Sequence, residues 1–333
     1  MVSNVVTPLP LRTIILIPVF NDWEPAHLLL DELDRALIGN GMKPEVLFVD
    51  DGSTSAVPAE FGGQDFAAIR SIDILRLRRN LGHQRAIAAG LVYVYQNLPC
   101  EAVLVMDADG QDRPEDIPAL VGEFEKLGRK SIVFAARSKR LEGLLFRLLY
   151  GIYRFVHLLL TGDAVRVGNF SLIPAATLSQ LVVIPEIWNH YAAAAIRSRL
   201  TFRMIPIPRG KRLAGSSKMN FIGLLLHGLS AFFVYGDIVG ARLLVGIAIA
   251  LMVQIAVAAG LVIHFTARPD FAIMVAVLAG LLSVVLLQAI PVALILVFTV
   301  VGSRATIGVV PLRDCPYFVD RMERIFGGAE KTQ

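Results

Sequence analysis

Two stretches of this chain, Leu243 to Ala267 and Phe271 to Ser303, contain no Asp, Glu, Lys or Arg. Each exceeds the roughly 20 apolar residues that a membrane-spanning helix needs. The expectation is a transmembrane hairpin, with helices at about 243–265 and 271–301 joined by the short loop Thr266 to Asp270. Composition agrees, since 55% hydrophobic and 18% charged residues over 333 positions are too apolar for an ordinary soluble or disordered domain. A hairpin returns the chain to the side it left. Arg304, Arg313, Arg321, Arg324 and Lys331 lie after it, whereas the loop carries only Arg268. The expectation is a multi-pass protein of the inner (plasma) membrane, and positive-inside bias predicts that its N-terminal domain and both termini are cytoplasmic.

The N-terminal apolar run Ile14 to Phe20 is interrupted by Pro18 and followed at once by Asn21 and Asp22, which describes a strand and not a signal peptide. The net charge of +4 comes without a basic run interleaved with aromatics, so no nucleic-acid partner is expected. Anionic lipid headgroups account for the excess. Cys100 and Cys315 are far apart and form no CxxC pair, and the six histidines are dispersed. A disulfide framework and a zinc site are both excluded.

From Leu11 to about Ala136, short β-branched runs alternate with amphipathic stretches, the pattern of a mostly parallel α/β sheet. Strands are predicted at Thr13 to Val19, Glu45 to Val49, Ile72 to Leu77, Ala102 to Met106 and Ser131 to Ala135, with helices near Pro25 to Leu37, Gln84 to Gln96 and Pro114 to Leu127. Ligands of such sheets bind beyond the carboxyl ends of the strands. Polar clusters stand there: Asn21-Asp22, Asp50-Asp51-Gly52-Ser53, Asn80 to Gln84, and Asp107 to Asp112. The domain is expected to span 1–218 and to include an interfacial helix at 141–160, which is apolar but punctuated by Arg147, Arg154 and His157. A juxtamembrane amphipathic helix at 219–238, the spans within 239–303 and a cytoplasmic tail at 304–333 complete the organisation.

Asp107-Ala108-Asp109 puts two carboxylates at a strand end with their side chains on one side. Such a pair can hold Mg2+ or Mn2+ against the two phosphates of a nucleotide sugar, offsetting charge on the leaving diphosphate. A DxD alone is common in surface turns. Here Gln111 and the second acidic turn at Asp50 make the combination far more specific.

Five motifs in order then carry a resemblance: Ile17-Pro18-Val19-Phe20-Asn21-Asp22, Val49-Asp50-Asp51-Gly52-Ser53, Arg79-Asn80-Leu81-Gly82-His83-Gln84, Asp107 to Glu115, and Arg212-Leu213-Ala214-Gly215-Ser216-Ser217-Lys218. The chain resembles the family 2 glycosyltransferases, and among them the polyprenyl-phosphate glycosyltransferases related to dolichol-phosphate mannose synthase and the bacterial undecaprenyl-phosphate glucosyltransferases. The resemblance implies a GT-A (Rossmann-like) fold and an inverting, metal-dependent hexosyltransferase that moves a sugar, glucose favoured, from a UDP- or GDP-linked donor to polyprenyl phosphate. Position by position it implies that Pro18 and Asp50 hold the nucleotide beside Asp22, Asp51, Asn80 and His83. Asp107, Asp109 and Gln111 match the metal and diphosphate site. Arg137 matches a basic residue facing the phosphates, and Arg212, Ser217 and Lys218 match a loop that closes over donor or acceptor phosphate. Arg147 is a candidate for the acceptor phosphate.

The match has departures. Asn21-Asp22 replaces the usual Asn-Glu, Arg147 is followed four residues later by Gly151 and not Ser, and Val167 to Ile173 replaces a Ser-Gly-Phe-Arg pattern, so that Asn169 and Ser171 mark a different sugar or lipid preference. Two readings stand for His83, a donor contact or a loop residue, and two for Arg147, a phosphate ligand or a snorkelling side chain. A processive synthase would carry QxxRW and more spans. A hydroxyl-lipid acceptor would need a base, for which Asp163 or Glu186 would serve, and a membrane scaffold would not need the intact DxD. Gly240, Gly246, Ala248 and Ala250 on one span, with Ala276, Ala279 and Gly280 on the other, permit close approach, so a homo-oligomer through the hairpin is expected.

Overall fold

The computed structural model describes residues 11–137, 151, 155–156, 158–162, 167–215, 234–264, 269–305 and 308–327. The chain divides into two compact units. The first is built on one sheet of eight strands: β1 (Thr13–Val19), β2 (Glu45–Asp50), β3 (Ser71–Leu77), β4 (Ala102–Val105), β5 (Ile132–Arg137), β6 (Val167–Pro174), β7 (Phe202–Ile207) and β8 (Val319–Phe326). Their spatial order is β7-β5-β6-β4-β1-β2-β3-β8. The four strands β4-β1-β2-β3 are parallel, β6 runs antiparallel to both β4 and β5, and β8 runs antiparallel to β3.

Every side chain of β1 is buried because helices cover both faces of the sheet, as a parallel arrangement requires. The period of two divides them: Ile15, Ile17 and Val19 enter one core with Leu29, Leu30 and Leu33 of α1 (Trp23–Leu37) and Leu120 and Phe124 of α3 (Ile117–Lys126). Ile14 and Leu16 enter the other with Ile87, Leu91 and Val94 of α2 (His83–Asn97). Gly90 lets α2 lie close to the sheet, because a Cβ there would meet Leu16 Cδ1 and Val49 Cγ2 at 2.7 Å. The shorter helices α4 (Ala175–Leu181) and α5 (Tyr191–Arg197) add Leu178, Leu181 and Tyr191 to this second core.

All five strands expected from the sequence are present, and three more follow. Val319–Phe326, expected to be part of a tail, is a strand of the sheet. The segment leading to it is anchored as well: Leu312 N donates to the Val182 carbonyl at 3.0 Å, Arg78 N donates to the Phe318 carbonyl at 2.8 Å, and Cys315 is fully buried. Its charge-rich sequence lacks the apolar alternation of a half-buried strand because β8 is the outer strand and none of its residues is buried.

The second unit contains α6 (Gly236–His264) and α7 (Pro269–Ala305), whose stretches Gly236–Leu261 and Ile273–Thr299 are long and apolar enough to cross a membrane. α6 starts before the uncharged stretch, so Asp237 and Arg242 lie in its first turns. Arg242 Nη1 donates to the Leu159 carbonyl at 2.9 Å. Gln254 Nε2 bonds Ser283 Oγ at 2.6 Å, tying the two helices where their neighbours are apolar. Of the expected interfacial helix, positions 151, 155–156 and 158–160 are helical, with Phe155 and Leu159 exposed. Most of 141–160, and 219–233 of the juxtamembrane segment, lie outside the described residues.

Candidate active site

The polar residues gather beyond the carboxyl ends of β1, β2 and β4. After β1 the chain turns through Asn21, held at φ 54. Its carboxamide oxygen accepts the backbone N–H groups of Thr54 and Ser55, both at 2.9 Å, while its own N–H donates to Ser53 Oγ. These bonds clasp the β1 turn to the β2 turn and offset the cost of a left-handed residue. Asp22 follows directly.

At the end of β2 the two neighbouring acids face different ways. Asp50 Oδ1 accepts Ser53 N–H at 2.8 Å, and Oδ2 pairs with Arg76 Nη1 at 2.8 Å. Asp51 spends both oxygens on backbone, taking Leu81 N–H at 2.7 Å and Gly82 N–H at 2.8 Å just before α2. Burial pushes its carboxyl pKa up, and those two N–H donors oppose the shift. Gly52 sits at φ +68 and 2.5 Å separates its would-be Cβ from the Arg79 carbonyl carbon, so only glycine fits where Asn80 passes. Pro18 is buried in β1 opposite Val49, and the Asn80 side chain is exposed.

Beyond β4, Asp112 Oδ2 accepts Asp107 N–H at 3.0 Å and Asp109 Oδ1 accepts Gln111 N–H at 3.0 Å, curling the loop so that both carboxylates of the DxD remain at its mouth. Asp107 Oδ1 lies 3.2 Å from His83 Nε2 and 3.4 Å from Asn169 Nδ2, and the latter two atoms are 2.9 Å apart. His83 Nε2 accepts from Asn169 when bare and donates to Asp107 when protonated. Packing around the ring lowers its pKa, but the Asp107 carboxylate, backed by Asp112 and Asp51, outweighs that and holds it above the ordinary histidine value. Asn169 is itself fixed from behind: Gln84 Nε2 donates to its Oδ1 at 3.1 Å, and Gln84 Oε1 accepts Tyr191 N–H at 2.7 Å.

The loop after β7 docks on the DxD turn through Gly210 N to the Gln111 carbonyl (2.9 Å) and Leu213 N to the Asp109 carbonyl (3.0 Å). Leu213 covers Gly110, where a side chain would collide with it. This docking delivers Arg212, whose Nη1 meets Asp109 Oδ2 at 3.1 Å and whose Nη2 meets Asp22 Oδ2 at 2.9 Å. Arg209 bonds Gln111 Oε1. Burial and the neighbouring Asp107 raise the Asp109 pKa, while Gln111 N–H, Arg212 and Arg209 pull it back. Residues far apart in sequence thus form one cluster of alternating charge: Asp22, His83, Asp107, Asp109, Gln111 and Arg212.

Arg137 ends β5, while Arg147, Asp163, Ser217 and Lys218 lie outside the described residues. Asn169, singled out only as a departure, is brought against the DxD, and Asp112 was visible only as one more acid in its run. Arg76 carried no signal, because a lone cation in a strand reads as a solvent-facing position.

Residues 14–178 match the model of Glycosyl transferase family 2. The chain carries a family 2 glycosyl transferase domain. Among its relatives, the dodecaprenyl-phosphate galacturonate synthase of Rhizobium johnstonii is 30% identical over 136 residues, 40% of this chain and 38% of that one. The undecaprenyl-phosphate 4-deoxy-4-formamido-L-arabinose transferase of Klebsiella pneumoniae is 26% identical over 228 residues, 63% of each chain. The matched stretch therefore spans less than two thirds of either relative. The crystal structure of glucosyl-3-phosphoglycerate synthase from Mycobacterium tuberculosis, in complex with Mn2+, UDP-glucose and phosphoglyceric acid, superimposes with a TM-score of 0.50 at 14% identity, covering 69% of this chain and 80% of that one. The family 2 domain has the GT-A fold.

Proposed function

We propose that this chain transfers a sugar from a nucleotide-sugar donor to a polyprenyl phosphate at the cytoplasmic face of the inner membrane. The observation that carries this reading is the DxD at the end of β4, bound through Arg212 to Asp22 at the end of β1. The names of the two polyprenyl-phosphate relatives and the two apolar helices support the acceptor and the membrane setting. On this reading the hairpin also packs against that of a second copy.

Among the described residues no group of three or more His, Cys, Asp and Glu side chains is arranged to hold a metal alone. Asp107 and Asp109 suit a hard cation such as Mg2+ or Mn2+, which takes few protein oxygens and completes its shell with phosphates and water. Those two residues would hold it, beside Gln111, and it would supply positive charge against the leaving diphosphate. Asp50 belongs to the nucleotide pocket, Asn169 and His83 keep the Asp107 carboxylate in one orientation, and Arg212 sets a guanidinium beside the diphosphate position.

The acceptor needs no base. A phosphate monoester with a second pKa of about 6 is largely dianionic at neutral pH, so its oxygen attacks the anomeric carbon directly and the nucleoside diphosphate leaves from the opposite face. One displacement inverts the configuration. The protein's work is to bring two anions together and hold them in line, with Arg137, Arg147, Ser217 and Lys218 assigned to the phosphates. A hydroxyl acceptor is less well served, since Glu186 pairs with Arg197 at 3.8 Å.

The test incubates the purified protein in detergent and Mn2+ with undecaprenyl phosphate and UDP-glucose, UDP-galacturonate, UDP-4-deoxy-4-formamido-arabinose or GDP-mannose, reading lipid products by mass spectrometry. A glycosyl phospholipid lost in Asp109→Ala is expected, with UDP-glucose the first donor to try. Donor binding without any such lipid would transfer the reading to hydroxyl acceptors.

A further inference from the structure

Strand β8 follows the apolar hairpin, yet its charges are linked through Arg76 to Asp50 at the end of β2. Across β2, β3 and β8, Asp50 is in register with Arg76 and Arg76 with Arg321. Two arginines directly opposite on neighbouring strands repel. Glu323, one diagonal position away, resolves the conflict by accepting from both: its Oε2 takes Arg76 Nε at 2.9 Å and its Oε1 takes Arg321 Nε. Arg76 is thereby fixed at two points of its planar fork, Nε on Glu323 and Nη1 on Asp50. A guanidinium gripped at both edges cannot rotate about its stem, so the orientation of the Asp50 carboxylate is set from β8.

The burial gradient makes the linkage matter. Asp50 is 2% exposed and cannot draw on bulk water for compensation, whereas Glu323 is 30% exposed and can be altered without opening the core. With Oδ1 on Ser53 N–H and Oδ2 on Arg76, the Asp50 carboxylate turns only if one of these partners moves. Ser53 is clasped to Asn21. Arg76 is the partner whose own support lies outside the site.

We propose that Glu323 is a positioning residue for the donor nucleotide, acting through Arg76 on Asp50, and that the strand after the hairpin is a working part of the donor site. This rests on the reading of Asp50 as part of the nucleotide pocket.

The experiment measures UDP and GDP binding, each with Mn2+, to the full chain in detergent by calorimetry. The variants are Glu323→Gln, Asp50→Asn and the double variant, with Asp320→Asn as a control that removes a β8 charge held by Arg321 and Arg78 and touching neither Arg76 nor Asp50. For the nucleotide that wild type binds, Glu323→Gln is expected to raise Kd roughly tenfold, the scale of one charge-assisted hydrogen bond weakened at one remove. Asp320→Asn leaves Kd unchanged, and Glu323→Gln adds nothing in the Asp50→Asn background. A wild-type Kd in Glu323→Gln, or equal losses with and without Asp50, overturns the positioning role alone. Wild type binding neither nucleotide overturns the donor-site reading and the inference with it. Should Glu323→Gln not fold, Glu323→Asp, which keeps the charge and shortens the reach, is put through the same comparison.

Discussion

The ends of β2 and β4 are both acidic turns with a glycine, and they do opposite things. At β4, Asp107 and Asp109 face side chains: His83, Asn169 and Arg212. At β2, Asp51 faces only backbone N–H groups and Asp50 faces one N–H and one arginine. Partners that are side chains can exchange for a ligand, whereas a carboxylate that satisfies two buried N–H groups cannot leave without stranding them. On the proposed reading the same residue type serves chemistry at Asp107 and Asp109 and architecture at Asp51, with Asp50 joining a buried bond network to the donor pocket.

The sharpest way to break this comparison is to neutralise one carboxylate at each end. Asp109→Asn keeps the size and the acceptor for Gln111 N–H while removing the charge assigned to the proposed diphosphate site. We expect product formation to fall by about 100- to 1,000-fold, the usual scale for one electrostatic contact to a transition state, with the melting temperature within a few degrees of wild type. A comparable fall in stability would show that Asp109, too, is an architectural acid. Asp51→Ala should give the reverse profile. Two buried N–H groups lose their acceptor, which costs about 2–4 kcal/mol of stability, read as a lower Tm or denaturant midpoint. Unchanged stability with lost nucleotide binding would make Asp51 a donor ligand.

How much of this was legible follows from which interactions are local. β1 to β5 were readable because short apolar, β-branched runs bounded by turns are buried in the sheet. The DxD was readable because its two acids and Gln111 lie within five positions. β7, with Pro206 inside it, and β8, with charges at 320, 321, 323 and 324, carry the marks of outer strands, and those marks are the ones that hide a strand from pattern reading. Asp51 was read as a donor neighbour because its motif looks like a binding turn. The N–H groups of Leu81 and Gly82 that its carboxylate accepts leave no trace in side-chain identity. Asn169 stands 62 positions from Asp107 and Glu323 stands 247 from Arg76, separations that only the folded sheet closes.

Asn169 supplies the finest test, because it touches the β4 carboxylate without being a charge. Its Nδ2 stands near Asp107 Oδ1 and His83 Nε2, and its Oδ1 is held by Gln84, so the amide is locked in one orientation by a bond chain running to Tyr191. Asn169→Asp would turn the donor into a third anion beside Asp107, whereas Asn169→Ala removes the contact and leaves Gln84 Nε2 without its acceptor. If the network only positions Asp107, the alanine variant should lose about fivefold in turnover, the scale of one hydrogen bond of roughly 1 kcal/mol, and the loss should be the same for every nucleotide sugar accepted. A loss that differs between donors would show instead that Asn169 reads the sugar, and the side chains around the DxD would then set specificity as well as charge.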